Sequence, residues 1–191
     1  MTSDQFTQYV KEKTSEHGVK VIFRNSKRVV VDGCKVTGWY SDDDKELVVA
    51  RKYEDWLWIL AHEFCHFNQW CEQAPVSFGD FNTFWEWLEG KDFPYHKVLE
   101  SYRAVTDLEY DAESRTITLI KNLELPINIL EYTKACNSYL FYYNVVLKHR
   151  KWFDSYSEED TRKVLRTSMP RRLSRRYQNP PEKRWPQWLP K

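Results

Sequence analysis

An α+β fold is what this sequence predicts, and three observations predict it. Four short runs rich in β-branched residues, at 19–24, 28–33, 34–40 and 46–51, crowd into the first third of the chain. From Glu54 onward the apolar spacing changes to three and four, the period of a helix. Between these patterns stands Ser41-Asp42-Asp43-Asp44-Lys45, a polar stretch that reads as a hairpin loop.

Each element follows in order. Phe6, Tyr9 and Val10 at helical spacing predict a first helix, capped near Ser3 and stopped by Gly18. The β-branched runs predict a small antiparallel sheet of three or four strands. Leu57, Leu60, Phe64 and Phe67 predict a helix of about five turns ending before Ala74-Pro75. Residues 75–96, with Gly79, Gly90 and Pro94 among many aromatics, read as a packed loop or short helical excursion. A stripe of Val98, Leu99, Tyr102, Val105, Leu108 and Ala112 predicts a helix running to about Ile120. Pro126 opens a further one. SYSEEDTRKVL reads as a short helix with Ser157 and Asp160 in a capping arrangement, and the Pro-rich segment from Met169 reads as an extended arm. Residues 1–150 are thus expected to form one domain and 151–191 a basic, Pro-rich extension.

Composition sets limits. At 191 residues the chain can close a hydrophobic core without disulfides. Cys34, Cys65, Cys71 and Cys136 form no C-x-x-C pair, so they read as small buried hydrophobes. There is no apolar run of membrane-spanning length, and MTSDQFTQYVKEK is polar where a signal peptide would be apolar, so no membrane association and a cytoplasmic location are expected. The net charge of +1 conceals an asymmetry: residues 148–191 hold 13 Lys/Arg against 5 Asp/Glu, or +8, which leaves −7 on residues 1–147. Such a tail could contact nucleic acid or an acidic partner, or dock on its own body.

The chemistry concentrates at residues 62–66, His-Glu-Phe-Cys-His, an H-E-x-x-H pattern on a predicted helix. Histidines at i and i+4 share one helix face, so His62 and His66 can reach a single zinc ion at roughly 2.0–2.1 Å. Glu63 lies off the ligand line. From there its carboxylate can take the proton of a metal-activated water and pass it to a leaving amine. Two His and one Glu on a helix otherwise made of Trp, Leu, Ile and Phe would be costly polar groups without a metal to satisfy them. Cys65 points away from both histidines and is read as packing.

A catalytic zinc takes three protein ligands and keeps one position open. His17, His96 and His149 lie in segments that read as surface. The better source is the acidic cluster DLEYDAE at 107–113, where Glu109 and Glu113 share one helix face, as do Asp107 and Asp111.

The order of helix, small sheet with hairpin, H-E-x-x-H helix and second helix with E-x-x-A resembles the compact zincins of the ImmA/IrrE kind, which include peptidases of phages and mobile elements. The resemblance covers roughly residues 1–125. It implies a minimal zincin-like fold and a zinc metallopeptidase that cleaves a protein substrate, with Glu109 as the third ligand, Ala112 in the small-residue place and Glu113 where Asn or Asp is usual. Glu113 then becomes a partner of a ligand histidine or an alternative ligand. The sequence departs from that pattern at Glu113, at Thr116 and in the 42 residues, 67–108, that separate His66 from Glu109.

Two other readings keep the zinc: a DNA-associated protease resembling the SprT group, guided by the basic tail and using a third histidine, His96 or another, and a non-catalytic zinc-binding regulator. Intact Glu63 weighs against the second. The strand ELVVAR reads as the edge on which an extended substrate would pair. Tyr102, Arg103, Arg115, Tyr139, Tyr142 and Tyr143 are candidate donors to an oxyanion.

Overall fold

The structure is a computed structural model, which describes residues 1–31, 33–74, 78–152, 166, 167 and 169–175. The described residues fall into two compact units, one within Met1–Pro75 and Ala112–Ile129, the other within Val76–Asp111 and Leu130–Lys191.

In the first unit α1 (Ser3–Ser15) is followed by β1 (Lys20–Arg24), β2 (Val29–Val31), β3 (Cys34–Val36), β4 (Gly38–Ser41), β5 (Glu46–Ala50) and α2 (Trp56–Cys71). The cap of α1 is Thr2 rather than Ser3: its hydroxyl accepts from the Gln5 N–H while the Gln5 side chain accepts from the Thr2 N–H, a reciprocal capping box. Past the helix, Gly18 takes a positive φ of 74°, which a glycine adopts without strain.

The sheet is mixed, not antiparallel as its composition suggested. Its order is β1-β5-β4, with β1 parallel to β5 and β4 antiparallel to it, while β2 and β3 pair separately as a two-stranded hairpin. β-Branched composition predicts strands but carries no information on their direction; the chain of 25–45 is long enough to return β5 alongside β1. β5 is therefore central, and Leu47, Val48, Val49 and Ala50 are all wholly buried. A strand apolar without alternation is what burial on both faces produces. The hairpin loop before it is as expected, with Ser41 opposite Glu46 and Lys45 at φ 55°.

α1 packs against β1 and α2, and α2 packs against β4 and β5. Phe6 and Val10 of α1 are wholly buried, and Phe6 meets Phe64 of α2 edge-on at 6.3 Å. Burying side chains of this size stabilises the fold by roughly 1.5–3 kcal/mol each. That packing fixes the face that α2 turns to the core.

The second unit contains α3 (Asn82–Leu88) and α5 (Ile129–His149). A single helix, α4 (Tyr95–Asn122), contributes its first part here and its last part to the first unit. α3 is the helical excursion expected after residue 75. Phe84 on α3 packs with Val98, Tyr102 and Val105 of α4 and with Phe141, Tyr142, Tyr143, Val145 and Val146 of α5. The Phe84 N–H, with no partner inside its own first turn, donates to Ser101 Oγ at 2.9 Å.

Part of the expected extended arm is docked. Asn137, wholly buried on α5, donates from Nδ2 to the carbonyl oxygens of Pro170 and Arg172 at 3.1 and 2.9 Å, and its Oδ1 accepts from the Ser174 N–H at 3.1 Å. Arg175 bonds Asp107 at 2.7 Å and lies 4.4 Å from the centre of the Tyr110 ring. The short helix expected in SYSEEDTRKVL, and residues 176–191, lie outside the described residues. Among the described residues no helix is long and apolar enough to cross a membrane.

Candidate metal centre

α2 carries His62, Glu63 and His66 on its buried side. His62 is 9 % exposed and Glu63 7 %, values at which unsatisfied polar groups would be costly. The helical spacing brings the two imidazoles together as the motif requires, Nε2 to Nε2 at 3.1 Å with the rings at 89°.

The outer nitrogens explain why the inner ones converge. His66 Nδ1 lies 2.8 Å from Oε1 of Gln69, three residues along the same helix. Oε1 of Glu113, on α4, stands 3.5 Å from His62 Nδ1. In the tautomer in which His66 Nδ1 donates to Gln69, its Nε2 presents a lone pair, and the Glu113 carboxylate beside His62 Nδ1 favours the same tautomer there. In that tautomer two lone pairs face each other at 3.1 Å, an arrangement that a shared cation would stabilise. Tetrahedral zinc with bonds of roughly 2.0–2.1 Å would hold two such nitrogens about 3.3 Å apart, so the pair fits that ion with little adjustment.

Glu109 completes the group. His62, His66 and Glu109 each offer one ligand atom, and the three atoms lie within 4.8 Å of one another, so these residues could bind a metal ion. It is an N, N, O donor set. Zinc takes such sets readily, although imidazole and carboxylate also suit other divalent ions of the first transition row. Glu113, one helical turn beyond Glu109 and 5 % exposed, is placed by its contact with His62 rather than in the ligand group.

Glu109 is itself held. Its Oε1 accepts a hydrogen bond from the Tyr143 hydroxyl at 3.1 Å and has the Tyr139 hydroxyl at 3.5 Å, while the two hydroxyls are 3.0 Å apart. Of the residues named as oxyanion donors, these two are thus engaged with the carboxylate. Tyr102 donates to Asn144 at 3.1 Å, and Arg115 pairs with Glu72 at 2.8 Å. Tyr142 is buried in the aromatic core of the second unit.

Cys65, between the histidines, is 1 % exposed, and burial pushes its thiol up to about 11, against a weaker opposing hydrogen bond from Thr116. It is a packing residue, as expected. Among the other histidines, His17 packs edge-on against Phe67 and Trp70, and His96 is exposed at the start of α4.

One feature of the site is a glycine. At Gly38, on β4, an added Cβ would collide with Ile59 Cγ2, stand 2.7 Å from the Val48 carbonyl oxygen and reach within 3.5 Å of Cγ of Glu63. The missing side chain lets β4 lie directly on the stretch of α2 that bears Glu63. Sequence reasoning passed over this residue and over Gln69. Only the i+3 spacing of Gln69 from His66 hinted at its role. Since β5 is central, the edge expected of ELVVAR belongs instead to β4 and β1.

Compared with protein-family models, curated proteins and solved structures, the chain has no significant match.

Proposed function

We propose that this chain is a zinc-dependent metallopeptidase of the compact zincin kind, in which His62, His66 and Glu109 hold the metal and Glu63 is the general base. The observation that carries the proposal is the pair of converging imidazole Nε2 atoms, 3.1 Å apart, with Glu109 in reach and a buried Glu63 beside them. When bound, zinc supplies Lewis acidity, polarising a peptide carbonyl and bringing the pKa of water toward neutrality.

The chain's own residues do the rest. Glu63 accepts the proton of the attacking water and returns it to the amine that leaves. Gln69 and Glu113 keep the histidine tautomers that expose Nε2. β4, an edge of the sheet lying on α2 at Glu63, offers unpaired backbone groups to an extended peptide. A protein or peptide is therefore the proposed substrate.

The test is elemental analysis of the purified protein together with a peptide-library cleavage screen. Wild type is expected to bind one zinc and to cleave. Glu63→Gln should keep the zinc and lose at least a hundredfold in rate, in line with the roughly 10²–10⁴-fold effect of a general base. Glu109→Ala should lose affinity for zinc much more than Glu113→Ala or His96→Ala. A Glu63→Gln variant as active as wild type, or Glu109→Ala with unchanged zinc affinity, overturns the assignment. Nothing in the described residues favours the DNA-guided alternative: in the docked part of the tail, Arg175 is engaged with Asp107 and Tyr110.

A further inference from the structure

We infer that Tyr143, backed by Tyr139, is a positioning residue for the third ligand: the two hydroxyls form a directed chain that holds the Glu109 carboxylate aimed. The inference rests on the reading of His62, His66 and Glu109 as a metal centre.

Proton counting fixes the direction of the chain. An ionised carboxylate only accepts, so the hydroxyl 3.1 Å from Glu109 Oε1, that of Tyr143, donates its one proton there. The Tyr143 oxygen is then left with lone pairs only, and the Tyr139 hydroxyl, 3.0 Å away, donates to it. Each donated bond polarises the next, so the pair is worth more to the carboxylate than Tyr143 alone. The same Tyr139 proton has Glu109 Oε1 as its other acceptor in this group, at the longer distance of 3.5 Å, so its bond to Tyr143 is the shorter of the two.

One consequence follows for the metal: the hydrogen bond takes up Oε1, which fixes the rotation of the carboxyl group. A glutamate has three rotatable side-chain bonds, and holding them in advance lowers the entropy lost on metal binding.

Packing makes the hold stiff. Tyr143 is 1 % exposed within the core of the second unit, with Trp85 and Trp152 against its ring at 6.4 and 5.8 Å. Tyr139, one turn earlier on α5 and half-buried, meets the Tyr143 ring edge-on at 5.2 Å. Burial of the Tyr143 ring among these aromatics restricts its side-chain rotamer, which keeps its hydroxyl beside Glu109. This is the role that outer partners of metal ligands play elsewhere, moved here to a pair of phenols.

The experiment measures zinc affinity of the metal-free full chain by competition with a chromophoric chelator, and the visible spectrum of the protein loaded with Co(II) alone. Tyr143→Phe is expected to weaken zinc binding roughly tenfold or more and to alter the Co(II) bands, and Tyr139→Phe to do so severalfold. Tyr102→Phe, which removes another buried hydroxyl between α4 and α5, should leave both readouts unchanged. In a Glu109→Ala background, Tyr143→Phe should cause no further loss. Unchanged zinc affinity in Tyr143→Phe, or an equal loss with and without Glu109, overturns the inference. Should Tyr143→Phe fail to fold, the half-buried Tyr139→Phe decides it by the same two readouts. A Glu109→Ala variant that binds zinc like wild type would instead show that the underlying metal centre is misassigned.

Discussion

Oε1 of Gln69 lies 2.8 Å from Nδ1 of His66, and Gln69 is wholly buried. A buried amide oxygen there can accept the imidazole proton and so direct the other nitrogen. Gln69→Leu is therefore expected to weaken zinc binding roughly 10–100-fold, as loss of an outer partner of a ligand commonly does. Gln69→Glu, which keeps an acceptor in place, should recover most of that loss. Chelator competition on both variants measures it.

Gly38→Ala tests the seat of α2. The added methyl would meet Ile59 and the carbonyl of Val48, and a backbone oxygen paired in a sheet cannot give way as a side-chain end can. Overpacking of this kind costs roughly 1–3 kcal/mol. Urea unfolding should show that loss, and if the proposed function holds, cleavage should fall with it, because β4 must shift on the stretch of α2 that bears Glu63 to admit the methyl.

The alkaline limb of stability should depend on Tyr102. Burial raises its phenol above the ordinary 10.0, so the folded state keeps a proton that the unfolded chain has already released. The favourable contribution is intact below pH 10 and is lost as pH rises beyond it. Tyr102→Phe should cost about 1 kcal/mol at pH 7, for the bond to Asn144, and flatten the decline above pH 10. Melting temperatures from pH 7 to 11 for both proteins check the two halves.

Thiol reactivity should divide the cysteines in two. Cys34 and Cys71 are exposed, whereas Cys65 and Cys136 are buried. With its thiol pushed up to about 11, Cys65 is also almost entirely protonated at pH 7.5. A chromogenic disulfide reagent is expected to modify Cys34 and Cys71 in the native protein and the other two only in denaturant.

Asn137→Ala should release the docked part of the tail. Three hydrogen bonds to the backbone of 170–174 disappear together, and none can be replaced by a methyl group. Trypsin is expected to cut after the exposed Arg171 and Arg172 faster than in wild type, with the cleavage mapped by mass spectrometry.

The parts of this molecule that were legible in its sequence are those governed by local periodicity. His62 and His66 meet because i and i+4 share a helix face; the same spacing narrowed the acidic cluster to two pairs, and only the resemblance to the compact zincins pointed to Glu109 among them. The α+β class was visible for the same reason. Pairing was not: nothing in VKVIF or ELVVA states that β1 and β5 run parallel, since strand direction is decided by the return path of the chain. Gln69 and Gly38 went unseen because their roles are contacts. One is defined by an imidazole nitrogen a turn away, the other by the helix that would strike its missing side chain.

The central place of β5 has a kinetic meaning. Every partner of α2 in the sheet depends on β5, and β5 finds β1 only after residues 25–45 have been closed into a loop. Loop closure of that kind must precede any reward from the contacts it makes, which places this pairing after the local turns of α2. The histidine pair on α2 can form with its own helix, whereas the strands beneath it wait on that closure.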